Sequence, residues 1–437
     1  MKFISFLGAI PYGETRYYFD TPDRPLPATP YVQEAIIRGG LPPWQPEDRS
    51  YIFTTPEARQ ANFQQRVQRG APPLPDRGLA HHLRTLRDMG KLGHFEAIDI
   101  PNGYTETEIW TVFEQVFQRL EAGDEVYFDI TYGFRSLPML GMALLNYAKA
   151  LQGITVKAIY YGNYEAGRAQ RQQEIQQAQA AGADEATLQA LREAPIVAPI
   201  LNLTAFSQLQ DWTYGAQSFL YAGDAKPLAR LVEPSRPDIG QQLLAFTQAI
   251  HTCRGLSLTQ DLDIETIKQI VAVEATGPLA PLLRPLLARV KQRLDPFQSD
   301  SLLNGLLAVQ WCIDHDLIQQ GYTLLQESFI SLLVRMAGGD PTVYAQRHWA
   351  NAALNGYQSL NSGPYPDTPG EEQLFAAMIE LARARRPLIH AYRRMTGKEG
   401  LRNDINHGGS TRPYASPDHL RQELRDLYQT LMQQLAA

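Results

Sequence analysis

The sequence predicts an α/β domain with a mainly parallel sheet, followed by an all-α domain. Three observations predict it. Short β-branched and aromatic runs alternate with helical patterns as far as Gly162. From about Asn202 onward almost only helical periodicity remains, punctuated by Pro and Gly. Between them, "RAQRQQEIQQAQAAGADEATLQALREA" (residues 168–194) is Gln/Ala-rich and polar all round, the pattern of an exposed helical connector. Strands separated by crossover helices imply a parallel sheet covered on both faces. The expected division is therefore 1–165, 166–200 and 201–437.

The elements follow in order. "KFISFLGAI" (residues 2–10) is β-branched and aromatic and reads as the first strand. "YIFTT" (51–55) is a second, stopped by Pro56. "HFEAIDI" (94–100) alternates and ends at "PNG". The next stretch has Ile109, Val112, Phe113, Val116, Phe117 and Leu120 at helical spacing. "EVYFDIT" (125–131) is a strand, "SLPMLGMALLNYAKALQG" an apolar helix ending at Gly153, and "ITVKAIYYG" a further strand. In the second half, "SPDHLRQELRDLYQTLMQQL" shows Ser416 as a cap, Pro417 in the first turn and leucines on one stripe.

Composition narrows the classes. The chain has 437 residues, 44% of them hydrophobic, enough for ordinary buried cores in two or three domains. A net charge of −6 advertises no bulk affinity for nucleic acid, although charge can be local. The two cysteines, Cys253 and Cys312, exclude a disulfide scaffold or zinc ribbon and fit a reducing cytoplasm. "MKFISFLGAI" is too short an apolar run for a signal peptide, and no stretch is long enough to span a membrane. H-E-x-x-H and Cys/His clusters are absent, and the adjacent His81 and His82 point apart on a helix, so neither metal nor cofactor is expected.

Ligands of open α/β sheets sit beyond the carboxyl ends of the strands. Three such ends stand out. "GAIPYGET" nearly spells a phosphate loop, with Gly8, Gly13 and Thr15 in place. Glu14 stands where the lysine belongs, and a carboxylate there would repel a triphosphate. "TTPEAR" offers two hydroxyls, Thr54 and Thr55, or simply a helix cap. "DITYGFRS" ends a strand at Thr131, turns at a glycine, and opens a helix near Arg135 and Ser136. Such a helix start collects anions, Arg135 adds a forked cation, and the Tyr132 ring is flat enough to stack on a base.

"FDITYGFRSLPML", with "FLG" on the first strand, "IYYGNYEA" on the last and "ILNLTAFSQLQDWTYG" after the connector, resembles the CRISPR-associated CARF-HEPN proteins of type III systems. The subgroup is the one with a D-[IV]-T-[HY]-G-[FL]-R-S signature, and Tyr132 stands where many relatives have histidine. The resemblance covers most of the chain, in the right order. It implies a Rossmann-like CARF sensor whose two copies pair about a twofold axis and bind a cyclic oligoadenylate. Cyclic tetra-adenylate is the expected ring, hexa-adenylate the alternative. The matching positions are Gly8, Ala9, Ile10, Thr54, Thr55, Thr131, Tyr132, Gly133, Phe134, Arg135 and Ser136. A ring with twofold symmetry suits a pocket made twice from the same loops.

Near the end, "LRNDINHGG" holds Arg402 and His407 five positions apart. In a regular helix such positions diverge by roughly 140°. Their meeting needs a distorted end or a second chain. Gly408 and Gly409 supply an end, because glycine takes the left-handed cap conformation. A twofold partner supplies the rest. "RNDINH" matches the R-x4-H motif of HEPN ribonucleases. The resemblance implies metal-independent cleavage of single-stranded RNA at a homodimer interface. The ribose 2′-hydroxyl is then the nucleophile, His407 the acid or base, and Arg402 the holder of phosphate oxygens. Asn403 and Asn406 would orient the imidazole or the phosphate. The products would be a 2′,3′-cyclic phosphate and a 5′-hydroxyl, and DNA should resist. His390 and His419 also lie in this half; Arg385 and Arg386 precede His390, but Pro387 interrupts the helix.

"RARRPLIHAYRRMTGK" (383–398) carries five arginines and a lysine with no acid. Arg383, Arg386, Arg393 and Arg394 are candidates for RNA phosphates, and a merely solvated basic face is the other reading. Two further classes stay open: a non-catalytic nucleotide-sensing regulator, and a sensor that opens its own ring through Thr54, Thr55 or Arg135.

Overall fold

The computed structural model describes residues 1–68, 70–133, 136–272, 279–357, 360, 363–397, 400–410 and 413–436. The chain forms two compact units, Met1–Gln208 and Leu209–Ala437. The first is an α/β unit with a mostly parallel seven-stranded sheet. The second is helical.

The α/β unit begins with β1 (Lys2–Leu7), β2 (Thr15–Tyr18), α1 (Val32–Gly39) and β3 (Arg49–Thr54). The short α2 (Pro56–Ala58) runs into a π-helical turn, Arg59–Gln64. A small antiparallel hairpin follows, β4 (Arg66–Gln68) and β5 (Ala71–Leu74). Then come α3 (Leu79–Asp88), β6 (His94–Asp99), α4 (Glu106–Phe117), β7 (Glu125–Asp129), α5 (Leu137–Gln152) and β8 (Thr155–Gly162). The unit closes with α6 (Tyr164–Ala180), α7 (Glu185–Glu193) and β9 (Ile196–Asn202).

The strand order is β2-β9-β8-β7-β1-β3-β6. All pairings are parallel except β8 with β9. The period of two along a strand sorts the core into two layers. Phe3 and Leu7 of β1 join Val32 and Ile36 of α1 and Leu79 and Leu83 of α3. Ile4 and Phe6 join Val112 and Val116 of α4 and Leu144 and Leu145 of α5. Each such fully buried side chain contributes about 1.5–3 kcal/mol.

The expected connector, 166–200, is corrected by the sheet. Its polar residues form α6 and α7, but its end enters β9, an interior strand. The reason is local. Arg171 of α6 donates to the carbonyls of Leu191, Ala194 and Pro195, which stitches the end of α7 and the start of β9 onto α6. β9 then pairs with β2, so the unit extends to Gln208 rather than ending at 165.

The helical unit starts within α8 (Thr204–Ala222) and continues through α9 (Lys226–Val232), α10 (Pro237–His251), α11 (Ile264–Lys268) and α12 (Ala280–Leu294). It then runs through α13 (Leu303–Asp314), α14 (Ile318–Met336), α15 (Tyr344–Leu354), α16 (Pro369–Ala384), α17 (Arg386–Thr396), α18 (Leu401–Asn406) and α19 (Pro417–Ala436). Helix α14 packs against α13, α15, α16, α17, α18 and α19. One core centre is Trp311, ringed by Phe219 at 5.1 Å and Phe246 at 5.2 Å. Ser416 caps α19 by accepting from the His419 amide at 3.2 Å. No described helix is long and apolar enough to cross a membrane.

Candidate functional site

In the α/β unit the chain reaches β3 from β1 by way of the edge strand β2 and helix α1, which packs on one face of the sheet, and passes from β7 to β8 through α5, which packs on the other. The loops diverge between β1 and β7 and open a crevice at their carboxyl ends, where such sheets bind ligands. A cleft of about 600 Å³ lies there, lined by Gly8, Ala9, Ile10, Thr55, Thr131 and Gly133 among others. A second lobe of about 720 Å³ shares Ile10, Tyr12, Thr131 and Tyr132 with it and adds Arg66, Tyr164 and Arg168. The two lobes flank a pair of rings, Tyr12 and Tyr132, with centroids 4.3 Å apart.

The loop after β1 is held from both ends. The Tyr12 hydroxyl accepts from the Gly8 amide at 2.7 Å. Asn62, buried in the π-helical turn, donates to the carbonyls of Gly8 and Ile10, both at 2.8 Å. Burial pushes the Tyr12 phenol far up from its ordinary value, so it stays a neutral acceptor. The loop after β7 hangs on Asp129, which is fully buried. Its carboxylate accepts from the Ser5 hydroxyl at 2.7 Å, the Thr131 amide at 2.9 Å and the Thr131 hydroxyl at 2.5 Å. Gln33 in turn donates to Ser5 at 3.1 Å, and the Gly162 amide to Thr131 at 2.8 Å. Burial pushes the Asp129 carboxyl up to about 6, against the pull of the Thr131 and Ser5 hydrogen bonds. Gly133 has φ +133°, where a β-carbon would also meet Leu137 at 2.6 Å, so the turn requires glycine.

Several expected ligand residues are placed differently. Thr54 is fully buried, with its hydroxyl 3.5 Å from the Ile98 carbonyl, and does not line the cleft. Strand alternation puts it on the same face as Ile52, inside the α1/α3 layer. Thr55 reaches the cleft but also caps α2, accepting from the Ala58 amide at 3.2 Å. Ser136 is half-buried at the start of α5 and does not line either lobe. One face of Tyr132 is taken by Tyr12, and its hydroxyl engages Tyr17, so it is not a free stacking plate. Phe134 and Arg135 lie outside the described residues. Sequence reasoning passed over Tyr104, which is 84% exposed on the cleft rim, and the paired cations Arg66 (with Glu14, 2.6 Å) and Arg168 (with Glu165, 3.5 Å). The available signal for Tyr104 was its place just after the "PNG" strand end.

In the helical unit, α18 carries Arg402, and His407 is the residue that ends it. Gly408 and Gly409 have φ +64° and +58°, the left-handed cap region. Their amides close back on Ile405 at 2.9 Å and Asp404 at 3.1 Å. Arg402 is half-buried with its Nε unpartnered, and its charge acts on the Cys253 thiol and the Tyr392 phenol. His407 and Asn406 are exposed, as is Asn403. No hydrogen bond joins Arg402 to His407 among the described residues.

The four arginines divide. Arg383 and Arg386 are exposed. Arg393 instead donates from Nε to the Asn355 carbonyl at 2.6 Å, and Arg394 pairs with the buried Glu423 carboxylate. Those two serve the fold. Arg385 and His390 also stand at the R-x4-H spacing; Arg385 sits in the break before α17, with φ −116° and ψ 60°. Among the described residues, no three His, Cys, Asp or Glu side chains cluster as metal ligands would.

Comparison with known proteins points to one class, the CRISPR-associated proteins. A family model described as "CRISPR-associated protein MJ1674, second domain" matches residues 208–299. CRISPR-associated protein MJ1674 of Methanocaldococcus jannaschii is 24% identical to this chain over 252 residues, 57% of the chain and 35% of that protein. The chain thus spans about a third of the length of that relative.

Proposed function

We propose that the chain is a cyclic-oligoadenylate-activated, metal-independent endoribonuclease of type III CRISPR defence. The α/β unit acts as a CARF sensor, and the helical unit as a HEPN nuclease that works as a homodimer. The observation that carries the reading is the α18 end: Arg402 with an unpartnered Nε, then exposed His407 released by two left-handed glycines. Two copies of this corner would supply two guanidinium and two imidazole groups to one ribose-phosphate link. His407 takes the proton of the 2′-hydroxyl or returns one to the leaving 5′-oxygen. Arg402 stabilises charge on the phosphorane oxygens. The two-lobed cleft at the β1/β7 switch point supports a nucleotide ligand, and the CRISPR-associated matches support the setting.

The test is one assay. Labelled single-stranded RNA and its DNA counterpart are incubated with the protein, with and without cyclic tetra- or hexa-adenylate, in EDTA. The expected result is activator-dependent cutting of RNA only, lost in His407→Ala, with 2′,3′-cyclic phosphate ends. Activity that needs a divalent metal or survives His407→Ala would sink the reading.

A further inference from the structure

Beside the Arg402 segment, the helical unit holds a cavity of about 520 Å³. The turn after α10 contributes Arg254 and Leu256, both exposed, and α14 contributes Thr323 and Glu327, one helical turn apart. Helix α18 packs on this same α14, and the Arg402 charge acts on Cys253, which also lines the cavity. The cavity therefore lies beside the helix that carries Arg402, one of the residues to which cleavage is assigned above.

Its polar groups are arranged unevenly. Arg347 donates to Glu327 Oε2, to the Ser331 hydroxyl at 2.9 Å and to the Pro341 carbonyl at 2.8 Å. That guanidinium is spent on fixing the carboxylate. Glu327 Oε1 has no hydrogen-bond partner among the described residues, and the Arg254 side chain makes neither hydrogen bond nor ion pair among them. The site thus offers a fixed acceptor in the wall, an apolar rim at Leu256 and a free cation at the mouth.

We infer that this cavity receives a nucleobase of the RNA strand and selects bases that bear an exocyclic amino group, as adenine, cytosine and guanine do, over uracil, which bears none. The inference rests on the ribonuclease reading. A carboxylate accepts only, so it matches an amino donor and opposes the O4 carbonyl of uracil. Arg254 holds a neighbouring phosphate without regard to base. Rejection of uracil comes from two acceptors facing each other.

The experiment uses the full chain and 2′-deoxy tetranucleotides of adenine, cytosine or uracil, which bind without being cut, read by fluorescence anisotropy. The adenine and cytosine tetramers should bind at least about fivefold more tightly than the uracil one. Glu327→Gln should level the three, and Thr323→Phe, which fills the cavity, should abolish the preference. Arg254→Ala should weaken all three alike and flatten the salt dependence. Equal binding by the unaltered protein, or a preference that persists in folded Glu327→Gln and Thr323→Phe, overturns the inference. An intact preference in a protein that never cuts RNA would instead overturn the ribonuclease reading and leave a base pocket.

Discussion

The Thr131 hydroxyl donates to buried Asp129 at 2.5 Å and accepts from the Gly162 amide at 2.8 Å, so one side chain joins the ends of β7 and β8. Thr131→Val keeps the shape and removes both bonds. It leaves a buried carboxylate short of a donor and an amide unpaired, which costs about 1–3 kcal/mol. Urea denaturation measures the loss, and ligand titration should show weaker binding, because Thr131 lines both lobes.

Asp129 makes stability fall as pH rises. Its carboxyl is pushed from the ordinary 3.8 up to about 6 by burial, so the folded state holds the proton more tightly. Its stabilising contribution is complete below about 4 and lost as pH passes about 6, on the order of 3 kcal/mol across that window. Glu34 runs the other way. Burial pushes it up, but hydrogen bonds from His82, Thr29 and Arg38 outweigh that and hold it at about 2, so its contribution is present above 4.5 and lost as pH falls toward 2. The stability difference between the unaltered protein and Asp129→Asn should therefore shrink between pH 4 and 7.

Thr54 and Thr55 separate a fold role from a ligand role. Thr54→Val should leave activator affinity unchanged, since the hydroxyl is enclosed between β3 and β6. Tyr104→Ala should leave the melting temperature unchanged, because the ring is exposed, and cost about 1–3 kcal/mol of affinity if a base stacks on it. Calorimetric titration of cyclic oligoadenylate checks both.

His407→Ala should lower RNA cleavage by about 10²–10⁴-fold without changing thermal stability, as the ring is exposed at a helix end. Arg402→Lys should not restore what Arg402→Ala removes, because a point charge lacks the planar fork. Single-turnover rates measure both.

The basic stretch should split in the same way. Arg383→Ala with Arg386→Ala should weaken RNA binding and reduce its salt slope. Arg394→Ala should mainly destabilise, by about 1–2 kcal/mol given its partial exposure, because it strands buried Glu423. Filter binding at several salt concentrations, set beside melting curves, distinguishes them.

Five sheet strands were legible because runs such as "KFISFL" and "EVYFD" are rich in residues that suit a pleated surface. β2 was not: four residues, "TRYY", carry too little pattern. β9 was hidden by Pro199, which reads against an interior strand. In the cleft, the glycine loop and Thr131 were visible locally. The Tyr12–Tyr132 pair was not, since it joins residues 120 positions apart in the chain. The arginines of 383–398 looked alike because their partners, Asn355 and Glu423, lie on other helices.

The pairing of β2 with β9 has a consequence for biosynthesis. The tyrosines at 17 and 18 must wait on the ribosome for partners at 198 and 199. A fragment halted at residue 165 would keep β8 as a bare edge and leave β2 with nothing to zip onto, an invitation to pair with neighbouring chains. Isolated sensor fragments should clump unless they reach past Asn202.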